Sequence, residues 1–155
     1  MAGAAIIHTR KALVETLNSL SNRDVVSLIT YGSTVDAVIE AHRLDGLSNR
    51  NILIQQIEAE GGSAQYEALN VAAAQLRRFL NPDSINRILF LTDGQATIGP
   101  REDDDFIRLA ESFAREGISV LSLPTKSAPF VEVIYSTFQT MEPWLIPSKR
   151  TLIPW

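Results

Sequence analysis

Cysteine is missing from this chain of 155 residues. Its absence excludes disulfide bonds, thiolate metal sites and cysteine nucleophiles, and it leaves the redox compartment undetermined. Stability must therefore come from a buried apolar core. A chain of this length with 45% hydrophobic residues can form one domain around such a core. We expect a soluble globular protein.

Concentrated positive charge and long apolar runs are missing too. The formal net charge is −4 and lysine and arginine form no block, so we expect no nucleic-acid partner, because that attraction needs a basic face. No window reaches the length of a membrane span, so we expect no membrane insertion. The opening MAGAAIIHTRKALVETL gains charges too early for a secretory signal, which makes a cytoplasmic location the default expectation.

The spacing of apolar residues predicts alternating helices and strands. Apolar residues three and four apart predict helices, and short apolar or alternating runs predict strands. The predicted helices lie within 6–20, 52–57, 66–80 and 103–117, and the predicted strands within 25–31, 35–41, 88–91 and 118–123. This order predicts an α/β fold, a Rossmann-like mostly parallel sheet with one antiparallel edge strand at 35–41 and helices on both faces. From residue 125 onward the pattern weakens: FVEVIYSTF, residues 130–138, could form a strand, and the segment after it has no helical period.

The stretch NRILFLTDGQATIG, residues 86–99, holds the first candidate functional residue. Its apolar run ends at Thr92, Asp93 and Gly94, which indicates a buried strand followed by a turn. In an open α/β sheet, ligands bind at the carboxyl ends of the strands. Asp93 is therefore the residue on which we first place a function.

A second polar loop, Gly61-Gly62-Ser63, is expected at the same end of the sheet. A hydroxyl from Ser63 and a carboxylate from Asp93 are hard oxygen ligands of the kind that Mg²⁺ accepts. The alternative is purely structural: Ser63 caps the next helix and Asp93 forms an Asx-turn. On spacing alone the structural alternative is favoured, because caps and turns are far commoner than metal sites.

Four successive blocks resemble the von Willebrand factor type A domain, particularly its bacterial branch. They are RDVVSLITYGSTVDAVIEA, EAEGGSAQYEALNVAAAQL, NRILFLTDGQATIG and FAREGISVLSL, and the likeness covers about residues 5–123. The resemblance implies a protein-binding module with a metal-ion-dependent adhesion site built from three loops. By position it implies Ser63, in place of the usual threonine, and Asp93 as metal ligands. The partner-binding loops it implies contain Gly62, Ser63, Asp93, Gly94 and Gln95.

The chain also departs from that family. The Asp-x-Ser-x-Ser motif of the first loop is absent, as is the apolar strand before it, so we expect an N-terminally truncated domain over 1–124 and an extension of uncertain structure over 125–155. With one carboxylate and one hydroxyl left, we expect binding of Mg²⁺ or another divalent cation to be weak or absent. The missing strand is central in the family's sheet. Either its neighbours pair directly, or another segment, with 131–136 the candidate, fills the gap.

Two functions follow from these residues. The first is a non-enzymatic protein–protein interaction module with a degenerate or incomplete adhesion site. The alternative is a small metal-assisted enzyme that uses Asp93 on an anionic substrate held near Ser63. We favour the module, because no base or nucleophile with a partner is identifiable. His8 and His42 do not support a hydrolytic triad, and the acidic run 103–105 is read as complementing a helix dipole.

Overall fold

The protein is a mixed α/β structure built on a five-stranded sheet. The computed structural model describes residues 2–58, 61–92, 95–124 and 132–140. The helices are α1 (Ala2–Ser19), α2 (Arg50–Gln55), α3 (Gln65–Arg77) and α4 (Asp103–Arg115). The strands are β1 (Val25–Tyr31), β2 (Val35–Arg43), β3 (Ser84–Thr92), β4 (Ile118–Pro124) and β5 (Glu132–Thr140).

Local sequence signals account for several of these elements. Strand β1 has the predicted bounds, since VVSLITY is a β-branched and apolar run. Helix α4 starts with three aspartates, whose negative charge favours the positive end of the helix dipole. It ends before Gly117, which has a φ of 80° and so adopts the left-handed conformation common after helices.

The strand order is β2-β1-β5-β3-β4. Among the described strands, β3 and β4 pair in parallel, whereas the pairs β1–β2, β1–β5 and β3–β5 are antiparallel. The prediction of a mostly parallel sheet with a single antiparallel edge strand is therefore wrong. The reason is the connection before β5: residues 125–131 are too few for the crossover that a parallel neighbour requires, so β5 returns antiparallel.

Strand β5 occupies the gap between β1 and β3. Tyr135 is paired in register with Leu28 on one side and with Leu89 on the other. Of the two arrangements predicted for this gap, the structure has the one in which another segment fills it, close to the candidate 131–136. The division of the chain at residue 124 stays a prediction, and β5 is the part of 125–155 that lies within the described residues.

Two apolar clusters cover the two faces of the sheet. Alternation along β1 separates them, because Val25 and Ile29 face one cluster while Val26 and Leu28 face the other. The first cluster includes buried residues of α3 and α4, such as Leu76 and Phe113. The second includes buried residues of α1 and α2. Helices thus pack on both faces, which anchors the loops at the ends of the strands.

The edge strand β2 departs from simple alternation. Regular alternation would place Ile39 and Ala41 on one face, but Ile39 belongs to the cluster of α1 and α2 and Ala41 to that of α3 and α4. The register shift between Val26 and Leu28 explains the difference, because it adds an extra residue to β2 between His42 and Ile39 and so turns the side chains on its two sides to opposite faces. Within the part of the chain that the structure describes, no helix has both the length and the apolar character to cross a membrane.

Candidate functional site

Three loops meet at the carboxyl ends of β1 and β3. They are residues 32–34, which follow β1, residues 61–64, which precede α3, and residues 95–98, which come after β3 in the chain. We call these three segments the loop cluster. The sheet brings these loops together, because β1 and β3 run in the same direction on either side of β5 and therefore end at the same edge.

Hydrogen bonds tie the middle loop to the loop after β1. The backbone N–H of Ala64 donates to the carbonyl oxygen of Gly32 at 3.0 Å. The hydroxyl of Ser33 donates to the carbonyl oxygen of Gly61 at 2.5 Å. These two bonds flank Gly62, whose φ of 88° places it in the left-handed region that favours glycine.

The middle loop is also tied to residues 95–98. The carbonyl oxygen of Ser63 accepts the backbone N–H groups of Thr97 at 3.0 Å and Ile98 at 3.2 Å. The side chain of Ile98 lies against Gly62, where an added Cβ would come within 3.0 Å of Ile98 Cδ1. The loop 61–64 is therefore held from both sides by backbone contacts.

Ser63 does not cap α3, contrary to the structural alternative drawn from the sequence. The capping position belongs to Ala64, and no side-chain capping bond is made there. Ser63 is buried, with 7% of its surface exposed, and its Oγ is a hydrogen-bond partner of the Gln65 side chain. The described contact of the hydroxyl is thus with a side chain at the start of α3.

Gln65 is the site residue that sequence reasoning missed. Its Nε2 lies 3.0 Å from Ser63 Oγ and 3.0 Å from Thr92 Oγ1, and the residue is 5% exposed. A signal for it was available. Gln65 falls at helical spacing on the buried stripe of α3, three and four residues before Ala68 and Leu69, so a polar side chain there needs an internal partner.

The other predicted site residues divide into two groups. Gln95 is described and exposed, so it is accessible to a partner. Asp93 and Gly94 lie outside the described residues. Their roles as metal ligand and loop residue therefore stay predictions, and Thr92 is the last residue of β3 whose contacts bear on the site.

The described residues of the loop cluster do not fit a hard divalent cation. Within the described ranges, no three or more histidine, aspartate or glutamate side chains are grouped as metal ligands. Between the hydroxyls of Ser63 and Thr92 lies an amide nitrogen, which donates hydrogens and is not an oxygen ligand of the kind that Mg²⁺ prefers. The cluster is built as a hydrogen-bonded junction.

Comparison with known proteins identifies distant relatives. No family model matches the chain, and no solved structure matches it. The chain is 30% identical over 105 residues to inter-alpha-trypsin inhibitor heavy chain H4 of Sus scrofa, and 30% identical over 107 residues to the same heavy chain of Bos taurus. Each match covers 64% of this chain but 11% and 12%, respectively, of the relative.

These heavy chains contain von Willebrand factor type A domains. The chain is distantly related to them. The likeness is partial, because the chain spans only about a ninth of the length of these relatives. It agrees with the family resemblance read from the four sequence blocks, and the activity and partners of the whole heavy chains do not transfer with it.

Proposed function

We propose that the chain is a von Willebrand factor A-like domain that acts as a non-enzymatic protein–protein interaction module. The observation that carries this proposal is the convergence of three loops, 32–34, 61–64 and 95–98, at the carboxyl ends of β1 and β3. Strands β1, β3 and β4 run in the same direction, and ligands bind at the carboxyl ends of strands that do so in α/β sheets. The distant relation to domains of this type in inhibitor heavy chains supports it.

The exposed part of the loop cluster has the mixed character of a protein interface. Ser33, Gln95 and Thr97 offer hydroxyl and amide groups to solvent. Ile98, with 38% of its surface exposed, adds an apolar side chain beside them. Interfaces combine an apolar centre with a polar rim, and these residues supply both. We place the partner-binding surface here, together with the predicted loop residues Gly62, Ser63, Asp93 and Gly94.

The adhesion site is proposed to be degenerate. Ser63 and Asp93 occupy positions that match family ligands, but the Asp-x-Ser-x-Ser motif is absent from this sequence. We therefore expect any binding of Mg²⁺ or another divalent cation to be weak or absent. The alternative of a metal-assisted enzyme depends on a metal held by Asp93, and it ranks second because the sequence offers no identifiable base or nucleophile with a partner.

A matched pair of isoleucines tests the proposal. Ile98 belongs to the loop cluster, whereas Ile107 on α4 is similarly exposed, at 43%, and lies outside it. A partner first identified by photo-crosslinking from position 95 should bind at least tenfold more weakly to Ile98→Asp, because a charge would be buried at the interface. Binding to Ile107→Asp should be unchanged. Equal losses in both variants, or no loss in either, would contradict the placement of the surface.

A further inference from the structure

One amide group lies between the hydroxyl of Ser63, in the loop cluster, and that of Thr92, at the end of β3. Gln65 Nε2 lies 3.0 Å from Ser63 Oγ and 3.0 Å from Thr92 Oγ1. An amide nitrogen carries two hydrogens, so it can donate one to each oxygen. Both Gln65 and Ser63 are buried, which makes the satisfaction of these polar groups important for stability.

These two bonds connect parts of the chain that are distant in sequence. Thr92 ends β3, and Gln65 begins α3, 27 residues earlier. Ser63 lies in the loop before α3, and its carbonyl oxygen accepts hydrogen bonds from the backbone N–H groups of Thr97 and Ile98. The amide of Gln65 therefore links the sheet, the start of α3 and the loop before it at a single buried point.

We propose that the side-chain amide of Gln65, in place of a divalent cation, joins Ser63 to the end of β3. The amide hydrogens carry partial positive charge and use a lone pair of Ser63 Oγ, the hydroxyl that the family resemblance implies as a metal ligand, and one of Thr92 Oγ1 beside it. They also repel a positive ion placed between those oxygens. The loop cluster is therefore assembled without metal. This inference concerns how the cluster is held together, so it stands or fails independently of whether the cluster binds a protein partner.

Replacing the amide tests the joining role. Gln65→Leu keeps a side chain of similar size but removes the two hydrogen bonds that the amide nitrogen donates to Ser63 and Thr92. We expect the Tm to fall by about 5 to 10 °C. Gln95→Leu makes the same substitution at an exposed glutamine of the cluster, and its Tm should stay unchanged.

Hydrogen exchange at single amides distinguishes a role of Gln65 in joining the loops from an effect on the stability of the whole fold. The backbone N–H groups of Ala64, Thr97 and Ile98 donate the hydrogen bonds that hold the three loops together. Their hydrogen exchange therefore reports whether the loops stay in contact. In Gln65→Leu these three should exchange about tenfold faster relative to the amides of the β1–β2 pair, which corresponds to the loss of about 1.4 kcal/mol of local protection. Uniform acceleration, or no change, would overturn the proposal.

The metal arm uses the unmodified protein. Adding millimolar Mg²⁺ or EDTA should leave its Tm unchanged, and Mn²⁺ should not selectively broaden the NMR signals of Ser63 and Thr97. Micromolar Mn²⁺ binding with broadening at these residues would overturn the proposal. Because this arm needs no variant, it still decides the question if Gln65→Leu fails to fold.

Discussion

The hydroxyl of Tyr31 donates a hydrogen bond to the backbone carbonyl oxygen of Leu91 at 2.9 Å. Tyr31 ends β1 and Leu91 lies near the end of β3, and β5 runs between these two strands. With strands about 4.8 Å apart, the bond spans a gap of roughly 10 Å between backbones. The Tyr31 ring also stacks on Phe90 at 5.7 Å between centroids. One side chain thus links the two strands that position the loop cluster.

Removing this hydroxyl should destabilise the fold modestly. Tyr31→Phe retains the ring and its stacking on Phe90 but loses the bond to Leu91. We expect the free energy of unfolding, measured by urea denaturation, to fall by about 1 kcal/mol. Tyr66→Phe is the matched control, because the Tyr66 ring contacts Phe106 and its hydroxyl forms no hydrogen bond within the described residues. Equal effects of the two variants would contradict a special role for the Tyr31 hydroxyl.

Gly62 should be the least replaceable of three glycines in or near the loop cluster. Its φ is 88°, and an added Cβ would lie 2.8 Å from Ser33 Oγ and 3.1 Å from Ser33 Cα. Gly62→Ala therefore adds a steric clash to the strain of a left-handed conformation. We expect a loss of about 2 to 4 kcal/mol in the free energy of unfolding.

Substitutions at two further glycines distinguish the cost of backbone strain from the cost of a steric clash. Gly99 has a φ of 78° but open space around an added Cβ, so Gly99→Ala should cost about 1 kcal/mol from strain alone. Gly61 has no positive φ and equally open space, so Gly61→Ala should be close to neutral. Urea denaturation of the three variants should rank them in this order. A Gly62→Ala protein as stable as Gly99→Ala would show that the contact with Ser33 relaxes freely.

The buried carboxyl group of Asp24 should make stability depend on pH. Asp24 is 1% exposed in the turn between α1 and β1, and its Oδ2 accepts the backbone N–H of Ser21 at 2.8 Å. Burial raises the pKa of this carboxyl above its usual value, and the bond from Ser21 opposes the rise only in part. The folded protein therefore keeps the Asp24 proton to a higher pH than the unfolded chain does.

The sign of the effect follows from proton linkage. The contribution of Asp24 is most favourable below the unfolded pKa of about 4 and is lost as pH rises through the higher pKa of the folded state. Asp24→Asn keeps an oxygen acceptor for Ser21 and does not ionise. The free energy of unfolding of Asp24→Asn minus that of the unmodified protein should thus increase from pH 4 towards neutral pH. Urea titrations across this range measure it, and a constant or decreasing difference would contradict the raised pKa.

Local patterns accounted for much of the secondary structure. The bounds of β1 and the start of β4 match the prediction, because runs such as VVSLITY and ISVLSL bury β-branched and apolar side chains. The end of α4 shortly before Gly117 also followed from the conformational preference of that glycine. Ser63 was misread as a cap, since both a cap and a buried hydroxyl are compatible with serine before a helix.

The sequence by itself determined the mixed α/β character, the apolar stripes and the position of the polar loops at strand ends, because these depend on neighbours within a few residues. Only the tertiary structure decided that β5 lies antiparallel between β1 and β3. Only it decided that Gln65 joins Ser63 to Thr92. Strand partners and buried hydrogen bonds form between residues far apart in the chain, so their geometry depends on how the whole sheet and its helices pack together.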